Sequence, residues 1–277
     1  MLRAFIAPVF ALITALAGCM PVMAGQVDEI AATLRLSDVF EVISAEGEGY
    51  GREIDDTMMD GAGGAAWAEA VRQIYAPDRL LPEITAALEV ALARRRADPG
   101  PAMAFIGSDL GQKVTALEIS ARRALLDPDV EDASRLKLDE MRSDADPRLS
   151  LIESLVVAND LIESNVTSDL NANYAFYQGL RDSGAIGPEM TDDDVVAEVW
   201  SQESVIRQET ETWVYSYLAM AYAPLSDDEL RRCIEVSQQA SAQALNRVVS
   251  DAYADVFSKV SRQLGRAAGT VLAGQNL

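Results

Sequence analysis

Apolar side chains recur every third or fourth position along nearly the whole sequence, and this spacing constrains the fold more than any other feature. It is the repeat of a helix with one buried face, whereas alternating runs of β-branched residues, which would indicate strands, are absent. Alanine, the best helix former, is abundant. We predict helical segments over residues 27–45, 67–75, 80–95, 102–126, 130–141, 149–181, 192–222 and 227–268. The pattern therefore predicts an all-α fold, an antiparallel helical bundle or array.

Capping residues and prolines support several of these helix boundaries. Ser226 and Glu229 have the spacing of a capping box, in which each side chain accepts a hydrogen bond from the backbone N–H of the other. Thr191 precedes three aspartates, which favour the positive end of the following helix. Seven prolines fall between the periodic segments: Pro77, Pro99, Pro101, Pro128, Pro147, Pro188 and Pro224.

The first residues have the pattern of an export signal. Arg3 is followed by an apolar run over residues 4–16, which is too short to stay in a membrane as a spanning helix. Val22 and Ala24 fit cleavage after small residues, so that residues 1–24 would be removed. We therefore predict that the protein is exported to the periplasm.

A second processing route overlaps with the first. The sequence Leu16-Ala17-Gly18-Cys19 resembles the lipobox of bacterial lipoproteins, which implies removal of residues 1–18 and lipidation of Cys19. The sequence leaves both routes open, so the mature protein is either free in the periplasm or anchored to the outer membrane through Cys19. Apart from that anchor, we expect no contact with the membrane.

Acidic residues outnumber basic residues two to one in the predicted mature chain. Removal of residues 1–24 leaves 253 residues, with 22 Lys and Arg against 44 Asp and Glu. Such a surface repels nucleic acid and anionic lipid, so we exclude nucleic acid as a partner. It favours cations or basic partners, although a solvated acidic surface is also typical of soluble exported proteins.

The sequence contains no histidine, and this narrows the chemistry that is open to it. Histidine is the commonest general base and metal ligand, and helical carboxylate metal sites normally include it. Cys233 has no partner for a disulfide in the mature chain unless Cys19 is retained. We predict no catalytic residue, no cofactor and no metal, and only carboxylate chemistry or an oxygen-only cation site stays open.

An internal repeat divides the chain into two halves. A Trp…Tyr-Ala-Pro pattern at residues 67–77 occurs again at residues 213–224. The repeat indicates two related helical halves, over residues 27–144 and 145–277, which we expect to pack as one domain.

A short motif follows the first copy of this pattern. Phe105, Ser108, Gly111 and Lys113 resemble the Phe-Tyr-x-Ser-Pro-x-Gly-x-Lys signature of an exported, all-helical bacterial family catalogued as a domain of unknown function. The departures from this signature are Ile106 for Tyr and Asp109 for Pro. Residues 236–245 can be aligned with residues 105–114 as a second copy of the motif, in which Val236 replaces Phe and Ala242 replaces Gly. The resemblance implies a fold class and a compartment, because the family has no assigned chemistry.

We interpret the motif as structural. A glycine at position 111 would let another helix cross closely, while Phe105 would fill the adjacent pocket and Lys113 would lie at the rim. Ligand binding by the motif is the alternative, although none of its side chains can act as nucleophile or base without help.

Two asparagines interrupt the apolar stripe of residues 149–181. Asn159 and Asn173 occupy positions where apolar side chains are expected, and a buried amide needs hydrogen-bond partners. They either fix the register of the helix or line a polar pocket together with Tyr174 and Tyr177.

Other side chains are assigned to the core and to its boundary. Glu118 precedes Arg122 by four residues, which predicts a helix ion pair. The aromatic core is expected to include Trp67, Phe105, Trp200, Trp213 and Tyr217.

These observations favour a non-enzymatic periplasmic protein that binds a partner, such as a protein of the envelope, or contributes to the envelope itself. A binding module for a small polar or cationic ligand is one alternative. A hydrolase that uses a pair of carboxylates is another, and it would need two acids close together in a cleft, one with a raised pKa. The oligomeric state cannot be read from the sequence.

Overall fold

The computed structural model describes residues 24–96, 98–187 and 189–275, and these residues form helices without a strand. The predicted export signal up to residue 23, including Cys19, lies outside the described residues. In chain order the helices are α1 (Ala24–Thr33), α2 (Leu36–Met58), α3 (Gly64–Ile74), α4 (Pro77–Arg95), α5 (Gly100–Ile106), α6 (Asp109–Ala124), α7 (Pro128–Ser143), α8 (Pro147–Ala158), α9 (Leu161–Asp182), α10 (Asp192–Ser201), α11 (Glu203–Ala221), α12 (Asp227–Ser237) and α13 (Ala240–Gln275). The all-α prediction is confirmed.

Each of the longest predicted helical segments is divided into two helices in the structure. The segment over residues 27–45 is interrupted at Arg35, and the segment over residues 149–181 is interrupted at Asp160. Both residues have a left-handed backbone with φ near 50°. The other breaks are short turns around Ser108, Gln202 and Gln238. Left-handed backbone at a residue other than glycine is uncommon, so the apolar spacing alone does not reveal these corners.

One continuous hydrophobic core runs from α1 to α13. The long helix α13 packs along α9 and also against α3 and α4, while α11 packs against α6, α7 and α9. Helices from the first predicted half therefore contact helices from the second across the same core.

Glycines allow α9 and α13 to cross with their backbones in contact. A Cβ atom at Gly179 would lie 2.1 Å from the Arg262 carbonyl oxygen, and one at Gly265 would lie 2.1 Å from the Phe176 carbonyl oxygen. Both distances are far shorter than any van der Waals contact, so each position excludes a side chain. Asp182, the last residue of α9, accepts hydrogen bonds from arginines of α13 beside this crossing.

A similar close approach joins α2 and α3. A Cβ atom at Gly47 would overlap the ring of Tyr75, and one at Gly51 would lie 2.6 Å from a methyl group of Val71. The indole N–H of Trp67 donates a hydrogen bond of 2.8 Å to the Gly51 carbonyl oxygen. The two aromatic side chains of the first Trp…Tyr-Ala-Pro pattern thus lie beside glycines of α2, because a larger residue at these positions would occupy their space.

The aromatic core differs from the prediction at one residue. Trp67 is buried, and Trp213 packs on the core with its ring stacked on Tyr217 at a centroid distance of 4.8 Å. Trp200 is 62% exposed, so its assignment to the core is wrong. Val195 and Val199 occupy the buried positions of α10. Trp200 is the residue after Val199, so it is rotated away from the buried face of the helix and faces solvent.

Candidate functional site

The motif residues build the corner between α5 and α6. The Ser108 side chain caps α6 by accepting a hydrogen bond from the Gly111 N–H, and its hydroxyl donates to the Phe105 carbonyl oxygen at 2.7 Å. A Cβ atom at Gly111 would lie 2.1 Å from that same carbonyl oxygen. The end of α5, the preceding helix, therefore occupies the space that a side chain at position 111 would need. Phe105 is buried in the core.

Lys113 forms an ion pair between this corner and the second half of the chain. Its ammonium group donates a hydrogen bond of 2.7 Å to a carboxylate oxygen of Glu229, in the first turn of α12. The Lys113 side chain is 41% exposed, which agrees with its predicted place at the rim. Glu229 is also part of the capping box with Ser226 that the sequence predicts.

The asparagines of the predicted polar pocket have different surroundings. Asn159 follows the end of α8, where its amide donates to the Leu155 carbonyl oxygen and its own oxygen accepts from Asn246 of α13. Asn173 instead donates to Gln202 at 3.2 Å, and it lies beyond the left-handed break that separates α8 from α9.

The tyrosines of the predicted pocket lie on α9 with Asn173, and Tyr174 and Tyr177 are both half-buried. Burial raises the pKa of Tyr177, as does the charge of Glu198, while a hydrogen bond with Gln202 opposes the rise. Gln202 therefore links Asn173 to Tyr177. Asn159 is not brought into this group, because its side-chain hydrogen bonds go to α8 and α13.

A buried acid that the sequence assigns to a helix pair lies in the core instead. Glu118 is 5% exposed, and its carboxylate accepts a hydrogen bond from the hydroxyl of Tyr222. Burial raises the pKa of Glu118 from 4.5 to about 8, although the Tyr222 hydroxyl opposes part of this rise. Glu118 is therefore mostly protonated at neutral pH. Burial, together with the charge of Glu118, raises the pKa of the Cys233 thiol to about 12.

Arg122, one turn further along α6, pairs with a different acid. Its guanidinium donates two hydrogen bonds to the carboxylate of Glu46 on α2, at 2.5 and 2.7 Å. Glu118 and Arg122, which the sequence pairs with each other, thus contact partners on other parts of the chain. The spacing of four residues, which predicted an ion pair at the boundary of the core, instead marks two buried polar residues on one helix face.

A second buried acid lies on α9, and the sequence analysis did not identify it. Asp169 is 1% exposed, and neither of its carboxylate oxygens has a hydrogen-bond partner within the described residues. Burial raises the pKa of Asp169 well above its usual range, and the nearby hydroxyl of Thr210 on α11 opposes part of this rise without forming a hydrogen bond of normal geometry. The apolar stripe of this segment passes through Val166 and Leu170, and nothing in that spacing marks the acid between them as buried.

The arrangement limits the chemistry that these acids can perform. Both Glu118 and Asp169 are enclosed by the core, so a substrate has no direct access to either carboxylate. Among the described residues, no group of three or more Cys, Asp or Glu side chains is placed to hold a metal ion. The helices of the described chain include none that is both long and apolar enough to cross a bilayer.

The surface carries an exposed aromatic side chain on an acidic helix. Trp200 and Val196, which is 41% exposed, stand one turn apart on α10, where side chains four residues apart are neighbours. Asp193 is exposed two turns before Trp200, which places it on the same side of the helix. We call Asp193, Val196 and Trp200 the Trp200 surface.

Comparison with known proteins finds no match for this chain among family models, curated proteins or solved structures. The resemblance to the exported all-helical family therefore stays a prediction.

Proposed function

We propose that this is a non-enzymatic exported protein that binds a protein partner of the bacterial envelope through the Trp200 surface. The observation that carries the proposal is the 62% exposure of Trp200. Tryptophan is enriched among the residues that contribute most to binding when a partner covers them. Val196 extends the apolar area beside it.

The charges around Trp200 define the chemistry of the partner. Asp193 lies on the same side of α10, this helix begins with three aspartates, and the whole chain carries a net charge of −21. A partner segment with an apolar pocket beside basic residues would complement this surface. The basic residues would direct the encounter, while the burial of Trp200 would supply most of the affinity.

A binding role agrees with the state of the interior acids better than hydrolysis does. A hydrolase of the carboxylate type needs a raised-pKa acid that can reach its substrate, whereas Glu118 has the raised pKa but is enclosed. Its hydroxyl partner, Tyr222, is also 1% exposed. We assign this acid to the architecture of the core.

We further propose a periplasmic location, with an outer-membrane anchor if Cys19 is lipidated. The support is the sequence of residues 1–24. Replacement Cys19→Ser would release an anchored protein from the membrane fraction. A wild-type protein that is already soluble, with Gly25 as its first residue, would exclude the anchor.

The binding proposal is tested by photocrosslinking in living cells. A photoreactive amino acid is placed at position 200 and, as a matched control, at position 90, where Val90 is 67% exposed on α4. We expect a discrete adduct from position 200 that is absent from position 90 and is weakened by the additional change Asp193→Lys. No adduct, or the same adduct from both positions, would contradict the proposal.

A further inference from the structure

The interface of α9 and α11 contains a set of buried oxygen atoms that form no hydrogen bond within the described residues. Asn165 and Asp169 stand one turn apart on α9 and are 3% and 1% exposed, and Thr210 of α11 is 0% exposed. Neither oxygen of Asp169, nor the amide oxygen of Asn165, nor the hydroxyl of Thr210 has a hydrogen-bond partner within the described residues. Native cores rarely leave several adjacent polar atoms in this condition.

The chemistry of these groups is that of electron-pair donors. The amide nitrogen of Asn165 is already engaged, because it donates a hydrogen bond of 2.6 Å to the Leu161 carbonyl oxygen. The atoms that lack a hydrogen-bond partner are therefore the amide oxygen of Asn165, the two carboxylate oxygens of Asp169 and the hydroxyl oxygen of Thr210. A set of oxygen donors of this type suits a hard cation.

Two other acids in the interior have partners. The buried Glu118 accepts the hydroxyl of Tyr222, and the half-buried Glu46 is paired with the guanidinium of Arg122. Asp169 has no guanidinium partner, and its carboxylate oxygens form no hydrogen bond of normal geometry within the described residues, although the Thr210 hydroxyl is close enough to oppose part of its pKa rise. A buried carboxylate without compensation is strongly unfavourable, so it either binds a proton or is neutralised by a cation.

We propose that Asn165, Asp169 and Thr210 form a binding site for a monovalent cation, with Na⁺ as the ion of matching charge. A single carboxylate is neutralised by one positive charge, whereas a divalent ion would leave an excess charge in the core. The site shares no residue with the Trp200 surface, and its test does not depend on a protein partner.

The proton is the competitor for this site, since a cation binds only the ionised carboxylate. The ionisable group of α2 that interacts with Asp169 is Tyr50, whose pKa is raised by burial, by Glu53 and by Asp169. α11 contributes the uncharged Thr210. Alkaline conditions, in which fewer protons compete, therefore give the most sensitive measurement.

The test compares the melting temperature of the purified protein in NaCl and in choline chloride at equal ionic strength and at alkaline pH. Choline is too large for a buried site, so the comparison removes general salt effects. We expect Na⁺ to raise the melting temperature by about 2–4 °C at concentrations roughly five times its dissociation constant or more. Isothermal calorimetry of NaCl binding in two buffers should also register the release of a proton.

Three variants make the result specific. Asp169→Asn keeps the shape of the side chain and should lose the response to Na⁺, and Thr210→Val should weaken it at least several-fold. Glu118→Gln, a change at the buried acid that already has a hydroxyl partner, should keep the full response. Equal melting temperatures of the wild type in both salts, or a Na⁺ response that persists in Asp169→Asn, would overturn the proposal.

Discussion

Glu118 and Arg122 stand four positions apart on α6, yet each finds its partner on another part of the chain. Arg122 binds Glu46 of α2, while Glu118 accepts the hydroxyl of Tyr222 at the end of α11. Spacing within one helix predicts which side chains share a face, but packing decides whether that face meets water or the core. Here the face is buried, so the protonated Glu118 and the charged Arg122 each have their own hydrogen-bond partner on another helix or at its end.

The hydroxyl of Tyr222 is expected to stabilise the fold. Tyr222→Phe leaves the Glu118 carboxyl without its donor, which should lower the free energy of unfolding by about 1–3 kcal/mol. Tyr253→Phe is the matched control, because Tyr253 is equally buried and its hydroxyl has no hydrogen-bond partner among the described residues. This control should change the free energy of unfolding by less than about 0.5 kcal/mol. Urea unfolding at pH 6 measures both, and equal effects of the two changes would refute the role of the hydroxyl.

Glu118 should also make stability depend on pH. Because its pKa is raised from 4.5 to about 8, the folded state holds the proton more tightly than the unfolded state does. Its contribution is fully present below pH 4.5 and is lost as pH rises through about 8. The loss amounts to roughly 3–5 kcal/mol. Urea unfolding of the wild type and Glu118→Gln from pH 5 to pH 9 should show a smaller decline in the variant, and parallel curves would contradict the assignment.

At the scale of helices, the closest contacts depend on missing side chains. Gly179 and Gly265 let the backbones of α9 and α13 touch, and Gly111 lets α6 begin directly against the end of α5. The apolar spacing of the sequence predicts which segments are helical. It does not show whether a glycine is merely tolerated in the helix or is required because a neighbouring backbone lies against it.

The crossing of α9 and α13 provides a direct test of this distinction. Gly265→Ala should destabilise the protein by about 1–3 kcal/mol, because the new methyl group would overlap the Phe176 carbonyl oxygen. Gly274→Ala, on the same helix but with open space around the added atom, should be neutral or slightly stabilising. Thermal unfolding followed by far-UV circular dichroism measures both. A similar loss in the two variants would mean that helix propensity, and not the crossing, determines the effect.

The corner between α5 and α6 makes a second prediction at this scale. Gly111→Val should cost at least about 1–3 kcal/mol through overlap with the end of α5. Lys113→Ala removes an exposed ion pair with Glu229 and should change stability by only about 0.5 kcal/mol. Urea midpoints of the two variants decide the matter. A Gly111→Val protein as stable as the wild type would show that the motif does not act through packing.

For the whole molecule, the sequence predicts the fold class and the capping box of Ser226 and Glu229, because these follow from local spacing. It does not predict the corners at Arg35 and Asp160, since left-handed backbone at these residues depends on how the helices pack. It also misplaces Trp200, because one step of rotation along a short helix separates a core position from an exposed one. The buried acids could be found only once the helices were assembled, since their burial depends on neighbours that are distant in sequence.

The exposed Trp200 is the basis of the proposed binding role, and the affinity of the captured partner tests that role most directly. Trp200→Ala removes an exposed side chain, so its melting temperature should equal that of the wild type. Its dissociation constant should rise by about 30-fold, as for a central binding residue worth about 2 kcal/mol. Val90→Ala, the control on α4, should bind like the wild type. If Trp200→Ala binds its partner as tightly as the wild type does, the Trp200 surface is not the binding site.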